Sequence, residues 1–202
     1  MTRKVNAATL AHIKASEGLR LNAYPDPGSR NGDPWTIGYG STAGVRKGDT
    51  ITEAESERRL VIDLTHAENA VARLVKVPLN DNQFGALASF VFNIGSEAFK
   101  NSTLLRKLNA GDYAAVPSEL ARWNKNDGAV MAGLTKRRAA EAALWRAPVS
   151  TVPNDDIPHH PVPPNVPVID LPDPPEGGKF PAWLWVIAVL ALLAIVGLFA
   201  RF

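Results

Sequence analysis

The chain has 202 residues, 46% of them hydrophobic and 21% charged, with a formal net charge of +2. That length holds one core of ordinary size and excludes a large multidomain machine. With no cysteine there are no disulfides, thiolate zinc sites, iron–sulfur clusters or cysteine nucleophiles, and the four histidines are too few for a His-rich metal site; no metal and no cofactor is expected.

Residues 1–147 read mostly as helix. Asn6 can cap a first helix that carries Leu10 and Ile13 on one face and stops at Gly18. This N-terminal stretch is amphipathic, not a continuous apolar run, so no secretory signal is expected there. Tyr24-Pro25-Asp26-Pro27-Gly28 through Asn31-Gly32-Asp33-Pro34 is dense in turn formers, and Trp35 to Gly40 is β-prone, which predicts a small hairpin sheet. Thr52 with Glu55 has the pattern of a capping box before a long amphipathic helix bearing Leu60, Val61, Leu64, Val71 and Leu74. Asn80 with Gln83 repeats that pattern before Phe84, Leu87, Val91 and Ile94, with Gly95 as the stop. Further helices are expected after Asn101–Thr103 and after Asp112, and a last one from about Thr135 to Trp145. Pro117 should kink its helix or shift its start. The expected class is α+β, with a small sheet early and a mainly helical lobe after it.

Beyond residue 147 the composition changes twice. Residues 148–181 hold 11 of the 16 prolines and five acids (Asp155, Asp156, Asp170, Asp173, Glu176), which reads as an acidic, semi-rigid polyproline spacer. Residues 182–200 form a run of 19 residues without a charge, flanked by Lys179 and Arg201 and opened by Trp183 and Trp185. As a helix it would span about 28 Å, close to the ~30 Å of a hydrocarbon core, so a C-terminal transmembrane helix and a lipid-bilayer partner are expected. Residues 1–147 themselves carry 20 Lys and Arg against 15 Asp and Glu. That excess suits a polyanion such as an anionic wall polymer. Nucleic acid is not expected, because no recognition-helix pattern is present.

The chemistry concentrates near the hairpin. Glu17 falls at the end of the first helix, where the helix dipole places partial negative charge and favours the neutral carboxyl that a general acid needs. Asp26, nine residues on and set between two prolines, offers a second carboxylate that can activate water or stabilise positive charge at a sugar carbon. Thr36 offers a hydroxyl to orient that water. Singly, a helix-end Glu is most often solvated and an Asp between prolines is most often a turn residue.

Glu17-Gly18-Leu19-Arg20-Leu21-Asn22-Ala23-Tyr24-Pro25-Asp26 followed by Trp35-Thr36-Ile37-Gly38-Tyr39-Gly40 closely resembles the catalytic segment of phage-type lysozymes, the endolysins of glycoside hydrolase family 24. The resemblance continues at Ala86-Leu87, Phe92-Asn93-Ile94-Gly95, Asn101-Ser102-Thr103, Arg122-Trp123 and Gly133 to Arg138, and covers residues 6 to 147. It implies a lysozyme-like fold and hydrolysis of the β-1,4 bond between N-acetylmuramic acid and N-acetylglucosamine in bacterial peptidoglycan. By position, Glu17 matches the general acid, Asp26 the second carboxylate and Thr36 the threonine beside the attacking water. Phe92 and Ser102 match groove-lining positions, with Thr42 at the groove's edge. Ser41 stands where some members have a histidine paired with an acid, so that ion pair is absent, and the loop from Asp26 to Thr36 is several residues longer than in T-even phage members. Lys136, Arg137 and Arg138 suit either a wall-facing or a helix-tying role.

The expectation is an endolysin anchored in the host inner membrane by its tail and acting on the periplasmic wall, with a holin-type release partner. Alternatives are a non-catalytic wall-binding or membrane-permeabilising protein on the same fold, and a lytic transglycosylase.

Overall fold

The computed structural model describes residues 3–25, 33–126 and 128–148. Asp26, the proline-rich segment from residue 149 and the apolar residues 182–200 lie outside them. Among the described residues no helix is long and apolar enough to cross a membrane.

The first helix, α1, runs Ala7–Glu17. Asn6 caps it by accepting from the Thr9 amide at 2.9 Å. Its buried side chains are Thr9 and Ile13, while Leu10 is only half-buried; the expected Leu10–Ile13 face is therefore turned by one residue toward Thr9. Gly18 ends the helix at φ 72°, a left-handed value that costs glycine nothing, and the chain leaves directly into a strand.

That strand, β1 (Arg20–Pro25), pairs antiparallel with β2 (Trp35–Gly38), with Arg20 opposite Gly38 and Tyr24 opposite Thr36. Residues 49–51 extend the sheet on the other side of β1, through Ala23 N–H to Asp49 O at 2.8 Å and Ile51 N–H to Leu21 O at 2.9 Å. The long helix α2 (Glu53–Leu74) follows. Thr52 accepts from the Glu55 amide, but the Glu55 carboxylate turns to Arg58 and Arg59 in place of closing the box. In α3 (Asp81–Ile94) both arms of the capping box form, from Asn80 and Gln83, and Gly95 stops the helix as expected.

α3 is the centre of the lobe. Eleven of its fourteen residues are buried, and α1, α2 and the last helix pack around it. Gly85 lets α1 approach closely, since a Cβ there would lie 1.8 Å from Thr9 Oγ1. Short helices α4 (Ser96–Lys100), α5 (Thr103–Asn109) and α6 (Val116–Ala121) close one side. Pro117 sits in the first turn of α6, where its missing N–H leaves no bond unmade, so it sets the start of the helix without kinking it. A two-residue hairpin, β3 (Lys125–Asn126) with β4 (Ala129–Val130), precedes α7 (Ala132–Arg146), which begins three residues before the expected Thr135. Asn82 Nδ2 donates to Pro148 O at 2.8 Å and to Ala147 O at 3.3 Å, pinning the end of this lobe to the first turn of α3.

Candidate active site

Glu17 is held where α1 gives way to the hairpin. Arg137, in the second turn of α7, donates from Nη1 to Glu17 Oε1 at 2.6 Å and from Nη2 to the Ser89 carbonyl at 3.4 Å. The two side chains keep only 8% (Arg137) and 10% (Glu17) of their surface. Glu17 is therefore not a solvated helix-end carboxylate. The guanidinium sets positive charge against the partial negative charge of the helix end. Sequence reasoning left Arg137 and Arg138 between wall-facing and helix-tying roles; both are buried and tie α7 to α1 and α3, while Lys136 alone of the three is exposed.

Behind this pair lies a buried charge cluster. Glu141 Oε1 accepts from Ser89 Oγ at 2.9 Å and from Arg138 Nη2 at 2.8 Å, and Arg138 Nη2 also donates to Asn93 Oδ1 at 2.9 Å. The Arg138 guanidinium lies 4.8 Å over the Phe90 ring. Burial pushes the Glu141 carboxyl up, opposed by the two arginines. His12, one face of α1 away, is lowered to about 4 by burial first and by Arg137 and Arg138 after it, so its ring stays neutral.

On the hairpin, Thr36 is fully buried, and among the described residues its Oγ1 has no hydrogen-bond partner. Ser41 forms a bridge with Ile37 and donates from Oγ to Asp63 Oδ2 at 2.6 Å. Ser41 thus meets an acid through a neutral hydroxyl, without an ion pair. Burial pushes the Asp63 carboxyl above its ordinary value, while the Ser41 bond, Arg59 and His66 pull it down.

Thr42 is half-buried, with its carbonyl taken by the Val45 amide at 3.2 Å. Phe92 is half-buried on α3 and packs against the apolar core. Ser102 is buried, and its hydroxyl caps α5 by accepting from the Leu105 amide at 3.0 Å. Asp26 falls outside the described residues. Sequence reasoning missed Glu141, whose signal was its spacing of three and four residues from Arg138 and Arg137 on one helix face.

A helical lobe bearing a small hairpin, with a carboxyl fixed where the first helix meets that hairpin, defines the lysozyme-like fold. The phage lysozyme family model matches residues 14–141, and the chain belongs to that family and is a glycoside hydrolase. It is 43% identical over 142 residues to the endolysin of Acyrthosiphon pisum secondary endosymbiont phage 1, covering 68% of this chain and 94% of that protein. It is 41% identical over 147 residues to the endolysin of Salmonella phage P22, covering 70% and 97%. Among solved structures, the muramidase domain of SpmX from Asticaccaulis excentricus superposes with a TM-score of 0.67 at 39% identity, covering 72% of this chain and 99% of that one.

Proposed function

We propose that the chain is an endolysin that hydrolyses the β-1,4 bond between N-acetylmuramic acid and N-acetylglucosamine in bacterial peptidoglycan. The observation that carries this reading is the nearly buried Glu17, fixed by Arg137 at 2.6 Å beside the hairpin. In that reading Glu17 protonates the glycosidic oxygen as the bond breaks. Asp26 activates the attacking water and faces the positive charge that develops at the sugar carbon. The Thr36 hydroxyl, unpartnered among the described residues, orients that water. Thr42, Phe92 and Ser102 line the groove in which the sugars lie. Inversion requires the two carboxyls roughly 6.5–9.5 Å apart, room for one water.

Residues 1–147 form the muramidase domain, residues 148–181 a spacer and residues 182–200 a transmembrane helix in the host inner membrane. The 19-residue charge-free run supports the last of these. The domain acts on the periplasmic wall, and a holin-type partner controls its access to it, leading to host lysis.

Residues 1–147, added to permeabilised bacteria, should clear turbidity and release reducing ends. Glu17→Gln should lose roughly 10²–10⁴-fold of that activity, the share of a general acid. Unchanged lysis by Glu17→Gln would overturn the catalytic reading. Wall binding without reducing ends would favour a non-catalytic binder, and anhydromuramic ends a transglycosylase. The full chain should sediment with membranes and residues 1–147 should not.

A further inference from the structure

We infer that Glu141 is a positioning residue for this reaction: from behind, it fixes both the place and the charge balance of the guanidinium that holds Glu17. The inference rests on the general-acid reading of Glu17 and adds to it a residue that touches no substrate.

The geometry is a closed loop between α3 and α7. Arg137 spends its two terminal nitrogens on Glu17 Oε1 and the Ser89 carbonyl, and its Nε lies 3.5 Å from Glu141 Oε1. Ser89 serves both partners, because its hydroxyl donates to Glu141 while its carbonyl accepts from Arg137. Arg138, 1% exposed, approaches Glu141 with Nε 2.8 Å from Oε2 as well as through Nη2.

Two guanidinium ions this deep repel each other, and each is costly to bury without a counter-charge. Among the described residues Glu141 is the carboxylate that ion-pairs with both. With Glu17 ionised, two cations face two carboxylates; with Glu17 in its acid form, Glu141 is the carboxylate that offsets them. A partner needed for Arg138 alone would have no reason to reach toward Arg137 or to be hydrogen-bonded by the residue whose carbonyl steadies Arg137.

Among the described residues, the surrounding elements add no further unpaired charge to that balance. α3 presents the neutral Ser89 and Asn93. α1 presents Glu17 and a neutral His12. α6, also packed on α7, carries Glu119, which is engaged by Lys107 and Arg122.

Glu141→Gln keeps the shape and removes the charge. The guanidinium charge it leaves uncompensated favours the Glu17 carboxylate over its acid form. On soluble, uncrosslinked glycan strands, kcat should fall on the order of tenfold with KM within about twofold. The alkaline limb of the kcat–pH profile should move down by roughly half a unit to one unit. Adding Arg138→Gln restores the balance and should bring the limb back.

A folded Glu141→Gln protein whose alkaline limb stays put overturns the inference, even if its stability drops. Where Glu141→Gln does not fold, Ser89→Ala decides: it strips one hydrogen bond from Glu141, leaves every charge in place, and should lower kcat a few-fold at constant KM. No change in kcat there overturns the inference too. Full activity in Glu17→Gln would instead remove the general-acid reading beneath it, whereas an inactive Glu17→Gln with an unmoved Glu141→Gln limb removes this assignment alone.

Discussion

Arg137 Nη1 and Glu17 Oε1 meet at 2.6 Å across 120 positions of sequence, joining the C-terminal end of α1 to the second turn of α7. Both side chains are nearly out of water, so breaking the pair strands a carboxylate. Arg137→Gln should lower stability by about 3 kcal/mol, as expected for a buried pair losing one partner. It should also cut lytic activity more than tenfold at temperatures where the variant remains folded. Arg137→Lys restores the charge without a second arm for the Ser89 carbonyl, and should recover stability in part. Thermal melts alongside turbidity assays separate the two effects.

Thr36 makes the opposite prediction. Its hydroxyl is buried and has no hydrogen-bond partner among the described residues, so Thr36→Val removes no hydrogen bond to any of them. Stability should hold within about 1 kcal/mol or rise slightly, since a buried polar atom is replaced by an apolar one of similar shape. Lytic activity should nonetheless fall by an order of magnitude or more if the hydroxyl orients the attacking water, about what one positioned polar group supplies. A variant both stable and fully active would remove Thr36 from the chemistry.

Much of this architecture was legible locally. Asn6, Thr52 and Asn80 each cap the helix the sequence placed after them, and Gly18 and Gly95 end theirs. These signals lie within a turn of the boundaries they set. α4, five residues long, and the two-residue strands β3 and β4 were not legible, being too short to show a period. Glu17 could be named as a candidate, but its holder could not. For Arg137 and Arg138 the sequence left a wall-facing and a helix-tying role open, and the packing of α7 on α3 and α1 decides for the second. Ser102 shows the same limit: its position matched a groove residue, and the structure adds that its hydroxyl is engaged as the α5 cap.

Gly85 sets how closely α1 lies on α3. Gly85→Ala places a methyl 1.8 Å from Thr9 Oγ1 and 2.9 Å from Thr9 Cβ, so α1 must move. Overpacking of this kind costs about 1–3 kcal/mol. Because α1 ends in Glu17, activity should fall further than the loss of folded protein accounts for. Chemical denaturation and activity per folded molecule measure the two parts.

His12 gives the fold an acid-sensitive element. In the native state its ring is lowered from 6.5 to about 4, chiefly by burial and then by Arg137 and Arg138. The unfolded chain takes up this proton near pH 6.5 and the folded one does not, so the contribution to stability is complete above pH 6.5 and is lost as pH falls toward 4. With the ring partly open to solvent, about 1–2 kcal/mol is expected. His12→Gln should flatten the decline in melting temperature between pH 6.5 and 4 relative to the parent.

Asn82 fastens Ala147 and Pro148 to α3 and also accepts from Asn6, the residue that opens α1. Glu17 closes the same helix, roughly 16 Å away along its axis. Any pull delivered through the polypeptide beyond Pro148 therefore loads the most deeply packed helix of the lobe, at the far end of α1 from Glu17.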